Sequence, residues 1–249
     1  MERFLRTELI IGKHNLLKLH ASSVTVLGLG AVGSYVVEAL ARAGVGSLRL
    51  ADFDTVRPSN INRNLLAFES TVGEKKVAVA ARRIRDIHPQ CRVETADLFV
   101  DGQTIAGVAD TGAALIIDAM DSLNPKTQTL AYLYQRRIPV ISSMGAALRA
   151  DVFAVRCGDL FEARGCVLAQ QLRKRLRKYG IHKGIFCVYS QEPRLKQAVG
   201  DSATQEAYAR GRARKQLGSL PTVPGIFGLT IAHCAIKFLL GELKLSSAE

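Results

Sequence analysis

The chain predicts an α/β fold, a doubly wound and mostly parallel sheet with an adjoining antiparallel C-terminal portion. Three observations carry this. Short apolar segments alternate with helical ones through the first half. A glycine-rich turn, Gly28-Leu29-Gly30-Ala31-Val32-Gly33, joins the first strand to the first helix of that alternation. Ala114–Ala119 is apolar until Asp118, as a strand covered on both faces requires.

Val24–Leu27 is the first strand, and the turn after it leads into a helix from Val32 to Ala43 that Gly44 stops. Ser47–Ala51 is the second strand, ending at Asp52. Lys76–Ile87 is helical and closed by Pro89; Cys91–Asp97 alternates like a strand. After the buried strand Ala114–Ala119 come a helix over Asn124–Arg136 and a strand over Pro139–Ser143. In the second half, Asp151–Arg156 and Gly184–Ser190 read as strands around a helix over Val167–Tyr179. That helix has Leu168, Leu172 and Leu176 on one face and Arg173, Lys174, Arg175, Arg177 and Lys178 around the other. Gln191–Ser219 has little apolar periodicity and is expected to be a mobile loop. There is no repeat and no linker, so residues 1–249 are expected to form one domain with 191–219 as its loop.

The bulk properties narrow the class. With 249 residues, 48% of them hydrophobic, the chain can bury a sizeable core. Met1-Glu2-Arg3-Phe4-Leu5-Arg6 runs into charged sequence and does not read as a secretory signal. The apolar stretch Gly225–Leu240 is interrupted by His233 and Lys237 and is short of the roughly 20 residues a bilayer span needs. It reads as a buried helix, and no stable membrane association is expected. Five scattered cysteines with no C-x-x-C pair argue for a reducing, cytoplasmic setting and against the usual structural zinc site. Net charge is +12, and residues 160–219 hold thirteen Lys and Arg against four Asp and Glu. Such a segment is either a solvated face or a surface for phosphates.

The turn has the strand–turn–helix context of a Rossmann-like nucleotide site. Gly28 permits the tight turn, Gly30 the approach of a phosphate, and Gly33 the packing of helix on strand. The helix start offers N–H groups and a positive dipole end to an anion. Asp52, nineteen residues past Gly33, suits a carboxylate facing ribose hydroxyls. To this point a nicotinamide dehydrogenase fits as well as an ATP enzyme. Asn60, Arg63 and Lys76 follow, an amide and two cations, and they suit a triphosphate whose charge must be neutralised. Asp118 and Asp121 end the buried strand at the edge where ligands bind, and one carboxylate there suits Mg²⁺ bridging ATP phosphates. The structural alternatives are ion-pair roles for Arg63 and Lys76 and a helix N-cap role for Asp121. Cys187, between Phe186 and Val188, reads as a core thiol more readily than a catalytic one.

These residues resemble the ubiquitin-activating-like adenylating enzymes of the ThiF, MoeB and HesA type. The resemblance is carried by Arg3–Arg6, Gly28–Gly33, Asp52–Arg63, Gly73-Glu74-Lys75-Lys76, Asp118-Ala119-Met120-Asp121 and Pro221–Gly228, the last placed before the final helix. It implies ATP and Mg²⁺ as cofactors, with Asp52 on the ribose, Asn60, Arg63 and Lys76 on the phosphates, and Asp121 on the metal or positioning the phosphate. Arg6 would reach into the ATP site of a second subunit, which implies a homodimer. The zinc pairs of the ThiF and MoeB branch are absent. The basic helix, Gly184–Pro193 and Asn124-Pro125-Lys126 resemble instead the TcdA branch, the tRNA threonylcarbamoyladenosine dehydratases. That branch implies adenylation of the threonine carboxylate beside the anticodon and ring closure with release of AMP. It also implies tRNA as partner of segment 160–219, with a sulfur-transfer or accessory protein as a further partner class. The other adenylating reading is activation of the C-terminal glycine of a ubiquitin-like sulfur carrier. Outside that class stand an NAD(P)-dependent oxidoreductase and a binding module without catalysis.

Overall fold

A computed structural model describes residues 2–196, 205–206, 214–215 and 217–245. Two helices open the chain, α1 (Leu5–Ile11) and α2 (Lys13–Ala21), divided by Gly12 at a φ of 80°. Then follow β1 (Ser23–Leu27), α3 (Gly33–Ala43), β2 (Ser47–Ala51), α4 (Lys76–Ile87), β3 (Arg92–Ala96), α5 (Ile105–Ala109), β4 (Leu115–Asp118), α6 (Leu123–Gln135), β5 (Val140–Ser143), β6 (Val155–Asp159), α7 (Val167–Leu176), β7 (Phe186–Ser190), the short pair β8 (Gln205–Glu206) and β9 (Arg214–Lys215), and α8 (Thr222–Leu239). Seven strands form one sheet in the order β3-β2-β1-β4-β5-β7-β6; every pairing is parallel except β6 against β7. The chain turns back on itself between β1 and β4, and that reversal of strand order is where such sheets open a crevice.

The sheet's two faces bury separate clusters. Val24, Val26, Leu48, Leu50, Leu115 and Ile117 pack with α3, α4 and α8, while Leu27, Ile116, Val140 and Cys187 pack with α5, α6 and α7. Alternate residues of β1 and β4 therefore face opposite cores, which explains the continuous apolar run. Helix α8 is long and apolar enough to cross a membrane by length and composition, but half of it is buried inside the fold. Its Val223, Phe227, Ile231 and Ala235 lie in the core. Gly228 is required there: a Cβ would stand 2.6 Å from the carbonyl oxygen of Val32, the residue before α3.

Four expectations are corrected. The strand placed at Asp151–Arg156 begins only at Val155 and continues to Asp159. The Asp151 carboxylate accepts from the Phe153 amide at 2.8 Å and draws Val152–Ala154 into a 3₁₀ turn. The Val167–Tyr179 helix is α-helical to Leu176 and 3₁₀ over Arg177–Tyr179. Pro221–Gly228 does not precede the last helix but forms its first turns, Pro221 being the N-cap. Within the Gln191–Ser219 loop, β8 pairs antiparallel with β9. The expected mobility of that loop, and its Arg210 and Arg212, fall on 197–204, 207–213 and 216, outside the described residues.

The N-terminal segment is fastened by a ring cluster. Phe4 meets His20 and His88 edge-on, at centroid distances of 5.2 and 4.8 Å, and Arg3 donates to the Ile87 carbonyl at 2.9 Å. Burial pushes the His88 imidazole below its ordinary value, aided by the nearby charges of His20 and Arg3. The unfolded chain therefore takes up this proton first as pH falls. The contribution of His88 to stability is complete above its unfolded value of about 6.5 and is lost as pH drops toward the folded value. Thermal melts should show a constant Tm from pH 8 to about 7 and a decline below about 6.5 that His88→Phe reduces; an unchanged decline in the variant would contradict this.

Candidate functional site

The glycine turn places an open cradle at the carboxyl end of β1. Gly28, at a φ of 91°, lies so close to β4 that a Cβ would stand 3.0 Å from the Ala119 carbonyl oxygen; a Cβ on Gly33 would stand 1.9 Å from that of Gly28. A Cβ on Gly30 would meet nothing within 4 Å, so this backbone faces free space. Helix α3 begins there with no side-chain cap on its first amides. Two glycines thus serve packing and the third leaves the approach that a phosphate needs.

Asp52 ends β2 and is turned onto this cradle. One carboxylate oxygen accepts from the Leu29 amide at 2.6 Å and the other from the Asp54 amide at 2.7 Å. Burial raises the acid above its ordinary value; the Lys76 charge is the largest influence in the other direction, followed by the two amide bonds. Each oxygen has a second lone-pair direction left for a ribose hydroxyl. Lys76, the first residue of α4, is buried and pairs with Asp54 at 3.1 Å. The pairing is enforced by the backbone, since the Lys76 amide donates to the Asp54 carbonyl, Val56 to Glu74, and Gly73 to Val56. The ion-pair alternative for Lys76 is therefore the arrangement present, with Asp54 as its partner.

Asn60 and Arg63 share the turn after β2. The Asn60 side-chain oxygen accepts from the Arg57 amide at 3.3 Å. The Arg63 guanidinium donates to the Ser59 carbonyl at 2.6 Å and to Asn62 Oδ1 at 2.8 Å, bonds to groups of its own turn. Asn64 was not read from the sequence: buried, it donates to the Leu29 carbonyl at 3.0 Å and accepts from the Leu66 amide, tying this turn to the glycine loop. The signal for it was faint, a polar residue before the apolar pair Leu65-Leu66.

The second carboxylate region differs from expectation. Asp118 is fully buried; its Oδ2 pairs with Lys126 at 2.8 Å and accepts from Ser142 at 2.8 Å, while Oδ1 accepts from the Met120 amide at 3.2 Å. Its oxygens are spent on the fold, so the metal role considered for it is corrected. Lys126 is 0% exposed and also donates to the Met120 carbonyl at 2.9 Å, which fixes the segment leading to Asp121. Asp121 itself is exposed and accepts from the Ser122 hydroxyl at 3.4 Å. Its N-cap alternative is overturned, because Ser122 occupies that position on α6. Among the described residues no group of three His, Cys, Asp or Glu is arranged to hold a metal. Cys187 is fully buried in β7, and burial with the nearby Asp159 pushes its thiol far up, which supports the core reading. Arg6 lies exposed on α1.

Helix α7 carries fewer free cations than its sequence implied. Arg173 turns inward and donates to the Leu160 and Ala163 carbonyls at 3.1 and 2.6 Å, and Arg175 donates to Asn124 at 3.1 Å. Lys174, Arg177 and Lys178 are exposed.

Comparison with known proteins accords with this geometry. The ThiF family model matches residues 2–249. The chain is 37% identical over 255 residues to tRNA threonylcarbamoyladenosine dehydratase of Bacillus subtilis, covering 100% of this chain and 99% of that protein. The crystal structure of the Escherichia coli tRNA N6-threonylcarbamoyladenosine dehydratase in complex with AMP superposes with a TM-score of 0.88 at 32% identity, over 97% of this chain and 95% of that one. The same enzyme in complex with ATP gives 0.87. Molybdopterin-synthase adenylyltransferase of Salmonella typhimurium is 35% identical, but over 53% of this chain and 52% of that protein. With the family model spanning nearly its whole length, the chain belongs to the ThiF family.

Proposed function

We propose that this protein is an ATP-dependent carboxylate-adenylating enzyme that dehydrates threonylcarbamoyladenosine in tRNA to its cyclic form. The observation that carries the reading is the joining of the open Gly30 cradle, Asp52 and the Asp54–Lys76 pair at one strand edge. Full-length similarity to dehydratases of that name supports the choice of substrate. A carboxylate is a poor electrophile until one oxygen becomes a good leaving group. Transfer of AMP from ATP supplies it, with pyrophosphate as the first product. The carbamoyl group of the same side chain then attacks the activated carbonyl. Because it is already tethered, closure gains from high effective concentration, and AMP departs. The chain's task is to hold and neutralise phosphates: α3 and Gly30 at the cradle, Asn60, Arg63 and Lys76 as donors, Asp52 toward the ribose. Asp121 is the residue that would hold magnesium beside the nucleotide, and the ion would supply charge neutralisation there.

The finer parts of the proposal are a homodimer, a tRNA-contacting α7 and a cytoplasmic setting. Leu5, Leu9 and Ile10 on α1 are exposed beside Arg6, as a subunit interface reached by that arginine would require. For tRNA, exchanging Lys174 and Lys178 for alanine should weaken binding for modified and unmodified tRNA alike. It should lower the slope of log affinity against log salt by up to about two. An unchanged slope in filter binding at several salt concentrations would remove α7 from the interface.

The test of the reaction is ATP–pyrophosphate exchange and AMP release with modified tRNA, unmodified tRNA, no RNA, and a ubiquitin-like carrier. AMP formed only with modified tRNA, and lost in Asp121→Ala, is expected. Exchange with the carrier alone would replace this reading by carrier activation.

A further inference from the structure

One buried charge is not used by the nucleotide site. Arg149 follows β5 at the same carboxyl edge of the sheet, is 4% exposed, and donates from one terminal nitrogen to the Gly165 carbonyl at 2.7 Å. Its Nε and its other terminal nitrogen are buried and have no hydrogen-bond partner. Arginine remains charged at any working pH, so the group calls for an anion. Among the described residues no carboxylate pairs with it. The nearby Glu192 is spent on the Ala150 and Asp151 amides.

Two further features meet at this point. Gly165 directly precedes Cys166, the N-cap of the ten-residue helix α7, and no side chain caps that helix start. Its N–H groups and dipole favour negative charge. Leu148, just before Arg149, holds a left-handed φ of 57°, unusual for a bulky residue. It is pinned on both sides, its amide donating to the Gly218 carbonyl and its carbonyl accepting from the Leu195 amide. The backbone is strained at the position that turns the arginine inward, as happens at ligand clamps. In sheet order β5 is next to β4, so this point flanks the Asp118–Asp121 segment on the side away from the glycine cradle.

We propose that Arg149 and the start of α7 form a carboxylate subsite that receives the acid to be activated. This rests on the adenylation reading. The arginine fork holds the carboxylate before it attacks the α-phosphorus. As the adenylate forms, the carboxylate loses its charge and its hold on the fork weakens. Arg149 is therefore a recognition and positioning group for the ground state.

The experiment is a cycle of protein with and without the guanidinium against tRNA with and without the threonylcarbamoyl group, measured as binding without ATP. The wild type should prefer modified tRNA by about tenfold or more, the range for a charged hydrogen-bonded group. Arg149→Met should bind both tRNAs alike, at the wild-type level for unmodified tRNA. Arg149→Lys should keep part of the preference. In turnover, Arg149→Met should raise the KM for modified tRNA with the KM for ATP unchanged. Its Tm should hold, because an unpaired buried charge has been removed. Equal weakening for both tRNAs would mean a contact to the phosphodiester backbone and would overturn the assignment. So would an unchanged preference, or a lowered Tm with both KM values altered together. Wild-type turnover separates the two readings: a normal wild type with an indifferent Arg149→Met sinks only the subsite. A wild type that activates only a ubiquitin-like carrier sinks the tRNA reading, and the same variant is then measured on the carrier's terminal carboxylate.

Discussion

Replacing Lys126 with methionine is expected to cost about 3–5 kcal/mol of stability, the range for breaking a buried pair by removing one partner. The reason is local. Asp118 is 0% exposed, and Lys126 is its only cationic partner among the described residues. Without it the carboxylate keeps the Ser142 hydroxyl and the Met120 amide, two neutral donors. It must either stay charged in an apolar site or take up a proton, and either course draws on the folding free energy. The Met120 carbonyl also loses its 2.9 Å donor, so the segment leading to Asp121 loosens. Urea denaturation should show a lower midpoint at an unchanged m-value, and adding Asp118→Asn should recover much of the loss, since the pair and not either charge is what fits. A cost below about 1 kcal/mol would mean that water reaches this pair.

The second large effect is on activity. Lys76→Met should lower the rate of AMP formation by about 10²–10³, as loss of one preorganised phosphate donor does elsewhere. Lys76 pairs with Asp54 at 3.1 Å, held by the Asp54–Lys76 and Val56–Glu74 backbone bonds, so its position is fixed before any nucleotide arrives. A further consequence has a definite sign. The Lys76 charge is the largest influence holding the Asp52 acid down against burial. Its removal moves that acid further up, so the acidic limb of the KM for ATP should shift to higher pH in the variant. Stopped-assay kinetics from pH 5 to 8 check both. A tenfold or smaller rate loss with an unmoved limb would assign Lys76 to structure alone.

The chain's sequence yielded most strands and helices because their periodicities are strong: β2 and α4 are observed with the bounds expected for them. What escaped it has physical reasons. α1 buries no residue and carries Leu9 and Ile10 exposed, and α2 buries only Leu16 and Leu19 while Leu17 is exposed, so neither shows a full apolar stripe. The Asp151 turn is a side-chain bond competing with a strand, invisible to periodicity. In the site, the glycines, Asp52 and Lys76 were legible because a motif fixes their spacing. The Asp118–Lys126 pair was not, although a trace existed. Lys126 falls on the buried stripe of α6 with Thr127 and Leu130, and a lysine on a core stripe calls for a buried anion. Asp54 and Asn64 needed the fold, because only the return of Gly73–Lys76 beside β2 shows what they hold.

This site is expected to spend ATP to remove water from a tRNA nucleoside. The most direct measurement is the mass of the threonylcarbamoyladenosine nucleoside recovered from tRNA after incubation with the protein and ATP. A nucleoside lighter by one water, formed only with ATP and in step with AMP, is the result predicted. An unchanged nucleoside in the presence of ATP, from protein that binds the nucleotide, would contradict it.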